Sequence, residues 1–275
     1  MDKPVIFLAF ANDRANFLHN LDQEHRKILL ALDEVKATGL CEVESRPGVT
    51  ITDILDVFQK HHNRIAIFHY AGHADDYTLL LNSEEGDRAF AQSASLVSFL
   101  ALQHGLQLVF INGCSSKHQA QELINAGVPA VVGTVQPIAD AVATDLAERF
   151  YKGIAQGVSI HEAWTAAVSQ VTTQIKEFNL RALNWKGKEE KRLNFFPWDI
   201  YYRDGAEKVK EWNLPAAAND PLFGLPEISE EYYLKLPDKP FIGLQYFEKK
   251  DAAIFFGRGA PDCGQRQLST AVRLH

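Results

Sequence analysis

The chain has 275 residues, of which 46% are hydrophobic and 11% aromatic, and this length and composition suit one large domain or one domain with an appendage. Lysine and arginine total 28 against 35 aspartate and glutamate, which gives a net charge of −7 without any block of like charge. These values exclude a largely disordered chain and argue against a nucleic-acid partner, which would favour a basic face.

The three cysteines, Cys41, Cys114 and Cys263, lie far apart and form no C-x-x-C pair. An odd number of separated cysteines fits a reducing, cytoplasmic compartment better than a disulfide framework or a zinc site, and it suggests that one thiol is kept for reactivity. The first apolar run, Val5–Ala11, is too short for an export signal. The longest charge-free stretch, residues 89–116, is interrupted by polar side chains, so we expect no membrane span.

Apolar runs alternate with helical patterns over the first part of the chain. The predicted strands are Val5–Ala11, Cys41–Ser45, Ile65–Tyr70, Leu106–Ile111 and Ala130–Thr134, with a small hairpin arm at Thr78–Leu81 and a late strand among the aromatic residues from Phe195 to Tyr202. The predicted helices are Phe17–Val35, a segment capped by Thr50 and Asp53, Leu96–Leu102, a segment opened by Ser116 and Gln119, a segment from Val142 to Ile154, and one from Ser159 and Glu162 to about Phe178. The alternation predicts an α/β fold with a mainly parallel central sheet flanked by helices.

The composition changes near residue 214. Five prolines occur between Leu214 and Pro240, together with Ala and Asn, and this is linker composition. We therefore predict a domain over residues 1–213, a linker over 214–240 and a separate segment over 241–275.

Two strand ends carry residues that are suited to nucleophilic chemistry. In open parallel sheets the reacting groups lie at the carboxyl ends of the strands, where the sequence places His73 and Cys114. An imidazole or a helix N-terminus can stabilise the thiolate that attacks a carbonyl. A lone cysteine at a strand end is more often a small buried hydrophobe, and a lone Gly-His is usually structural. The conjunction of both residues, each next to glycine in one α/β unit, favours the functional interpretation.

Other polar residues give weaker signals. His69 and His73 lie four apart on a strand and do not converge as they would on a helix, so we expect no metal site and no cofactor. Asp75 and Asp76 fit a solvated turn better than catalytic acids. Asp140 is as good a candidate for a helix cap as for a substrate contact.

Three segments together resemble the CHAT family of caspase-like cysteine peptidases, and the resemblance extends over roughly residues 1–203. They are Ala71-Gly72-His73, Asn112-Gly113-Cys114, and Ala126 to Thr134 followed by Asp140 and Glu148-Arg149-Phe150-Tyr151. The resemblance implies a caspase-type three-layer fold, a His73 and Cys114 dyad, and an oxyanion hole formed by the amides of Ala74 and Cys114. Several members of the lineage carry an Asp that binds a basic P1 side chain where this chain has Asn112. We therefore expect Asn112 to line a substrate pocket that does not depend on a charge at that position, although Asp75, Asp76 or Asp140 could still supply an anion from a neighbouring loop.

A second resemblance covers the segment from Pro240 to Arg258, which looks like the opening of a STAND-type switch NTPase. The phosphate-binding loop that should follow does not occur before His275. The resemblance implies a C-terminal NTPase module as a partner and a homo-oligomer on activation.

The sequence thus predicts a cytoplasmic, caspase-like cysteine endopeptidase that acts on protein or peptide substrates as the N-terminal effector of a bacterial signalling or defence protein. Two alternatives remain. One is a catalytically inactive CHAT-like interaction module, and the other is a TIR-like NAD-cleaving effector, which would need a catalytic Glu and whose motif is absent.

Overall fold

The computed structural model describes residues 3–12, 18–74, 78–83, 88–114, 116–136, 138–174 and 196–225. The strands in these residues are β1 (Val5–Ala11), β2 (Glu42–Pro47), β3 (Ile65–Gly72), β4 (Thr78–Asn82), β5 (Arg88–Gln92), β6 (Leu108–Asn112), β7 (Ala130–Thr134) and β8 (Trp198–Tyr202). The helices are α1 (Leu21–Ala37), α2 (Ile51–Lys60), α3 (Ser93–Ala101), α4 (Lys117–Ala126), α5 (Asp140–Ala155), α6 (Ile160–Gln174) and α7 (Leu214–Asn219), with a 3₁₀ helix at Glu207–Glu211. The fold is α/β, as predicted.

Six strands form the central sheet, in the order β2-β1-β3-β6-β7-β8. The first five are parallel, and β8 runs antiparallel to β7 with Thr134 opposite Trp198. β4 and β5 form a separate antiparallel hairpin. The four inner strands, β1, β3, β6 and β7, are buried along their whole length because both faces of the parallel sheet are covered there.

Helices cover both faces of the sheet, so the protein has three layers. Along β1, Ile6, Leu8 and Phe10 belong to a core formed with residues of α1, α5 and α6, whereas the alternate residues belong to a second core formed with residues of α2, α3 and α4. This alternation follows from the two-residue period of a strand. The predicted arrangement of a sheet flanked by helices is confirmed.

Local sequence signals locate several helix starts correctly. The amide of Thr50 donates to the carboxylate of Asp53 at 2.9 Å, and the amide of Asp53 donates back to the Thr50 hydroxyl at 3.1 Å. The same reciprocal pair joins Ser159 and Glu162 at the start of α6. Both capping boxes are therefore confirmed.

The structure differs from the predicted elements at the hairpin and at the linker. Strand β5 has no counterpart in the prediction, and α3 begins at Ser93 rather than at Leu96. The first part of the predicted linker forms α7, in which Leu214 is fully buried and Ala217 and Ala218 are also buried. The first compact unit ends at Leu225, and Leu214 of α7 belongs to its buried core.

Residues 226–275, which include the rest of the predicted linker and the predicted switch NTPase segment, lie outside the described residues. None of the helices described is both long and apolar enough to span a lipid bilayer.

Candidate active site

The register of two neighbouring strands places His73 and Cys114 at equivalent positions. β3 and β6 are parallel, and Ala71 of β3 lies opposite Asn112 of β6. His73 and Cys114 each follow two residues later, just past the carboxyl ends of these strands, and both are partly exposed. The backbones of the two predicted residues therefore lie next to each other at the carboxyl end of the parallel strands. This is the end of the sheet where parallel α/β folds carry their reacting groups.

The glycine before Cys114 allows the two strand ends to approach closely. A methyl group on Gly113 would lie 2.7 Å from the Cβ atom of Ala74 and 2.9 Å from the carbonyl oxygen of Gly72. Both distances are shorter than a normal van der Waals contact, so any side chain at position 113 would force its neighbours apart. The backbone that carries Cys114 is therefore in direct contact with the backbone on either side of His73.

The segment after β3 is held by contacts of its own. The buried Tyr70 hydroxyl donates a hydrogen bond of 2.6 Å to the carbonyl oxygen of His73. Ala74, whose amide is the second predicted oxyanion donor, forms an isolated antiparallel bridge with Leu79 of β4. The hairpin after β3 thus helps to fix the backbone of residues 73 and 74.

The loop that contains Cys114 is tied to the end of β7. The Thr134 hydroxyl donates to the Gly113 carbonyl oxygen at 2.6 Å and accepts from the Ser116 amide at 3.2 Å, while the Thr134 amide donates to the Ser116 hydroxyl at 2.9 Å. Ser116 precedes α4 but makes no side-chain capping bond to it. The predicted helix start at Ser116 is confirmed, but its side chain does not cap the helix because the hydroxyl accepts from the Thr134 amide instead.

Asn112 lies in the core beneath the candidate site, and its side chain is hydrogen-bonded within the protein. Its side-chain nitrogen donates to Glu24 at 2.8 Å and to the Ala143 carbonyl oxygen at 3.2 Å. Its side-chain oxygen accepts from the Trp198 indole at 3.0 Å, and only 5% of the residue is exposed. Both donor hydrogens are used within the protein. This burial argues against the predicted contact between Asn112 and the substrate.

Glu24 and His69 form a buried pair beneath the two strand ends that the sequence did not reveal. The Glu24 carboxylate accepts from Asn112 and lies 3.1 Å from His69 Nε2, and both residues are 1% exposed or less. The sequence pattern indicates no role for His69 other than that of a metal ligand. The missed signal is a single glutamate at a core-facing position of α1, next to the apolar residues Leu21 and Ile28.

Asp140 and Asp75 are two aspartates predicted to contact the substrate, and of these the structure describes only Asp140. Asp140 begins α5, and its carboxylate accepts a hydrogen bond of 2.9 Å from the Asn20 amide at the start of α1. The N-cap of α5 is Ala139 and no side chain caps that helix, so Asp140 does not act as its cap. The Asp140 carboxylate is bound instead to the start of α1, where negative charge is favoured. Asp75 lies outside the described residues. Among the residues that the structure does describe, no cluster of three or more potential ligands could hold a metal ion.

Two other features, a cavity and a buried thiol, are not part of the candidate site. A cavity of about 350 Å³ is lined by residues of β8 and α4, including Tyr202, which lies opposite Ala130 at the amino end of β7. It is therefore at the opposite end of the sheet from Cys114. The Cys41 thiol is buried, and burial raises its pKa to about 11.

The profile of the CHAT domain matches residues 2–205, well over half of the chain. The chain belongs to the CHAT domain family. The matched segment contains all six strands of the central sheet together with His73 and Cys114. The match ends before residues 241–275, so the switch NTPase resemblance there stays a prediction.

Solved structures similar to this CHAT domain are distant in sequence. A secreted C11 cysteine protease from Bacteroides thetaiotaomicron, solved with an irreversible peptide inhibitor, is 9% identical with a TM-score of 0.46, covering 62% of this chain and 58% of that one. The Arg-specific cysteine proteinase gingipain R is 14% identical with a TM-score of 0.46, covering 62% and 42%. The Drosophila initiator caspase Dronc is 6% identical with a TM-score of 0.45, covering 72% and 78%.

The CHAT domain thus spans less than three fifths of the length of the first two of these proteins. No curated protein sequence matches this chain.

Proposed function

We propose that this CHAT domain is a cysteine endopeptidase in which Cys114 is the nucleophile and His73 is the general acid. The observation that carries the proposal is the register of β3 and β6, which gives His73 and Cys114 equivalent positions past paired residues. The contact between Gly113 and Ala74 supports it further, because it brings the two backbones together at this point.

The proposed reaction begins with attack of the Cys114 thiolate on the scissile carbonyl carbon. The oxyanion that forms is held by the amides of Cys114 and Ala74. His73 donates its proton to the leaving amine as the C–N bond breaks, which leaves an acyl group on Cys114 as a thioester. Water, deprotonated by His73, then attacks the thioester and releases the carboxylic acid and the thiol.

The position of Cys114 favours this chemistry over that of Cys41. Cys114 is partly exposed and lies three residues before the first residue of α4, whose N-terminal amides favour negative charge nearby. Cys41 is buried, and burial raises the pKa of its thiol to about 11. Of these two cysteines, Cys114 is the one that a substrate could reach, and it is also the one that lies near His73.

The experiment compares the wild-type chain with Cys114→Ala and His73→Ala on a denatured, tagged proteome, with new N-termini read by mass spectrometry. The matched control is His104→Ala, which changes an exposed histidine in the turn before β6. We expect both site variants to lose at least about 100-fold in cleavage rate, the control to keep it, and all three to keep their melting temperatures. Equal cleavage by Cys114→Ala would contradict the proposal, and no cleavage by any form would favour an inactive interaction module.

The substrate and regulatory parts of the proposal rest on the sequence alone. The substrate class is protein or peptide, and the segment from Pro240 to Arg258 supports a role as the N-terminal effector of a switch NTPase. In that role, assembly of the switch would bring copies of the CHAT domain together and raise their activity. Fusing residues 1–225 to an inducible dimeriser tests this: activity should rise on dimerisation, and full activity of the dilute monomer would contradict it.

A further inference from the structure

The buried hydroxyl of Thr134 has a fixed role in the hydrogen bonds around Cys114. Thr134 is fully buried at the end of β7, and its hydroxyl contacts the Gly113 carbonyl oxygen and the Ser116 amide. The amide can only donate, so the hydroxyl accepts from Ser116. The Ser116 hydroxyl lies farther away, at 3.4 Å, whereas the Gly113 carbonyl oxygen lies at 2.6 Å and can only accept. The single hydrogen of the Thr134 hydroxyl is therefore directed to the Gly113 carbonyl.

Fixing this carbonyl also fixes the amide of Cys114. The carbonyl of Gly113 and the N–H of Cys114 belong to one peptide plane and, in a trans peptide, they point in opposite directions. β6 lies between β3 and β7 in the sheet. Because the carbonyl is directed toward Thr134 on β7, the N–H of Cys114 is directed toward the β3 side, where His73 and Ala74 lie.

The neighbouring packing leaves little freedom for this arrangement to change. A methyl group on Gly133 would lie 2.9 Å from the Cβ atom of Ala120 in α4 and 3.3 Å from the carbonyl oxygen of Ser116. The end of β7 and the start of α4 are therefore in close contact behind the Cys114 loop. Ser116 is fully buried as well, so the hydrogen bonds between Ser116 and Thr134 are shielded from water.

We propose that Thr134 is a positioning residue that orients the Cys114 amide as an oxyanion donor and strengthens it through the bond to the Gly113 carbonyl. This inference rests on the proposed peptidase function. Hydrogen bonds in a chain polarise one another, so a donor to the carbonyl makes the N–H of the same peptide a better donor. The residue acts through Cys114 and does not itself contact the substrate.

The kinetic test uses the full chain with Thr134→Val, Thr134→Ser and, as a matched control, Thr144→Val. Thr144 is a buried threonine whose hydroxyl donates to the Asp140 carbonyl oxygen within α5. With a fluorogenic peptide that the wild-type chain cleaves, we expect Thr134→Val to lower kcat about 10- to 100-fold with KM within about threefold. Thr134→Ser restores kcat to within about threefold, and Thr144→Val retains it.

A second readout separates an oxyanion effect from a general disturbance of the site. Alkylation of Cys114 by iodoacetamide is a displacement at carbon that forms no oxyanion. Its rate in Thr134→Val should therefore stay within about threefold of wild type, whereas inhibition by the aldehyde of the same peptide, which forms a tetrahedral adduct, should weaken in parallel with kcat. Equal losses in alkylation and turnover would overturn the proposal, since they would mean that the site is merely disordered.

A third readout tests the hydrogen bond from Thr134 to the Gly113 carbonyl directly and does not require peptidase activity. Gly113-Cys114 is the only Gly-Cys pair in the chain, so labelling glycine with carbonyl ¹³C and cysteine with ¹⁵N gives a single cross-peak from this peptide. We expect Thr134→Val, but not Thr134→Ser, to shift the carbonyl resonance upfield as its hydrogen bond is lost. An unshifted peak would refute the role of Thr134, while a shifted peak with an inactive wild-type chain would refute only the peptidase function.

Discussion

The indole nitrogen of Trp198 donates a hydrogen bond of 3.0 Å to the side-chain oxygen of Asn112, two residues before Cys114. The side-chain nitrogen of Asn112 donates hydrogen bonds to Glu24 and to the backbone of α5. This one side chain therefore connects β6, β8, α1 and α5. All of these partners are buried. The side chain of Asn112 therefore has hydrogen-bond partners on both its nitrogen and its oxygen, and losing one of these partners leaves a buried polar group unpaired.

We expect Asn112→Asp to destabilise the protein by about 2–4 kcal/mol near neutral pH and to create no preference for a basic P1 residue. The aspartate can still accept from Trp198, but it cannot donate to Glu24, and two buried carboxylates in contact do not both ionise readily. Protonation relieves this conflict, so the deficit in unfolding free energy should shrink as the pH falls.

Urea unfolding from pH 5 to pH 8 measures the effect, and Asn125→Asp, on the exposed side of α4, is the control. A peptide library assay tests the specificity. A gain of strict Arg or Lys preference in Asn112→Asp would show that the side chain reaches the substrate after all.

Cys114 should react with iodoacetamide ahead of Cys41 and Cys263 in the native protein. Burial raises the pKa of the Cys41 thiol to about 11, so almost none of it is thiolate at neutral pH, whereas Cys114 is partly exposed before α4. Mass spectrometry of protein labelled at pH 7 reports the order. The fast reaction should disappear in Cys114→Ser, and equal labelling of all three thiols would argue against an activated nucleophile.

The elements around the site were accessible from the sequence because they depend on local patterns. The apolar runs that became β3, β6 and β7 are continuous, and the polar residues that follow each strand mark its carboxyl end. The sequence alone therefore places His73 and Cys114 at the ends of two strands. Their equal offset from Ala71 and Asn112 needed the register, which the sequence does not specify.

The supporting contacts were not accessible because they join residues that are distant in the chain. Glu24 and Trp198 lie 88 and 86 positions from Asn112, and no local pattern pairs them. At Ser116 the local pattern predicts a helix cap, but the Ser116 hydroxyl accepts a hydrogen bond from the amide of Thr134, 18 residues away. A tertiary hydrogen bond can displace a local one because the net contributions of the two are similar.

A chain ending at Asn213 should be less stable than one ending at Leu225. The longer chain retains α7, which buries Leu214 completely together with Ala217 and Ala218. Removing these side chains exposes the apolar surface that they cover, and we expect a loss of at least about 2 kcal/mol. Thermal unfolding of the two fragments measures it, with a chain ending at His275 as the reference. Equal melting temperatures would contradict the assignment of α7 to the domain.

The last prediction concerns acid stability at the edge of the sheet, where Glu44 of β2 accepts hydrogen bonds from Lys60 and from His61, the latter at 2.9 Å. Burial raises the pKa of Glu44, but the bonds from Lys60 and His61 outweigh it and lower the pKa from 4.5 to about 2. A carboxyl whose pKa is lower in the folded state stabilises the protein above its unfolded pKa, and this contribution is lost as the pH falls through the folded value.

Glu44→Gln should therefore reduce the unfolding free energy by about 1–3 kcal/mol at pH 7, with the lower end allowing for the exposure of Lys60 to solvent. The difference from wild type should decrease between pH 4.5 and pH 2, because protonated Glu44 resembles glutamine. Glu122→Gln on α4, where the glutamate is paired with the exposed His118, serves as the control and should show little change. Urea unfolding at a series of pH values measures both variants. A constant difference down to pH 2 would show that Glu44 acts through packing and not through its charge.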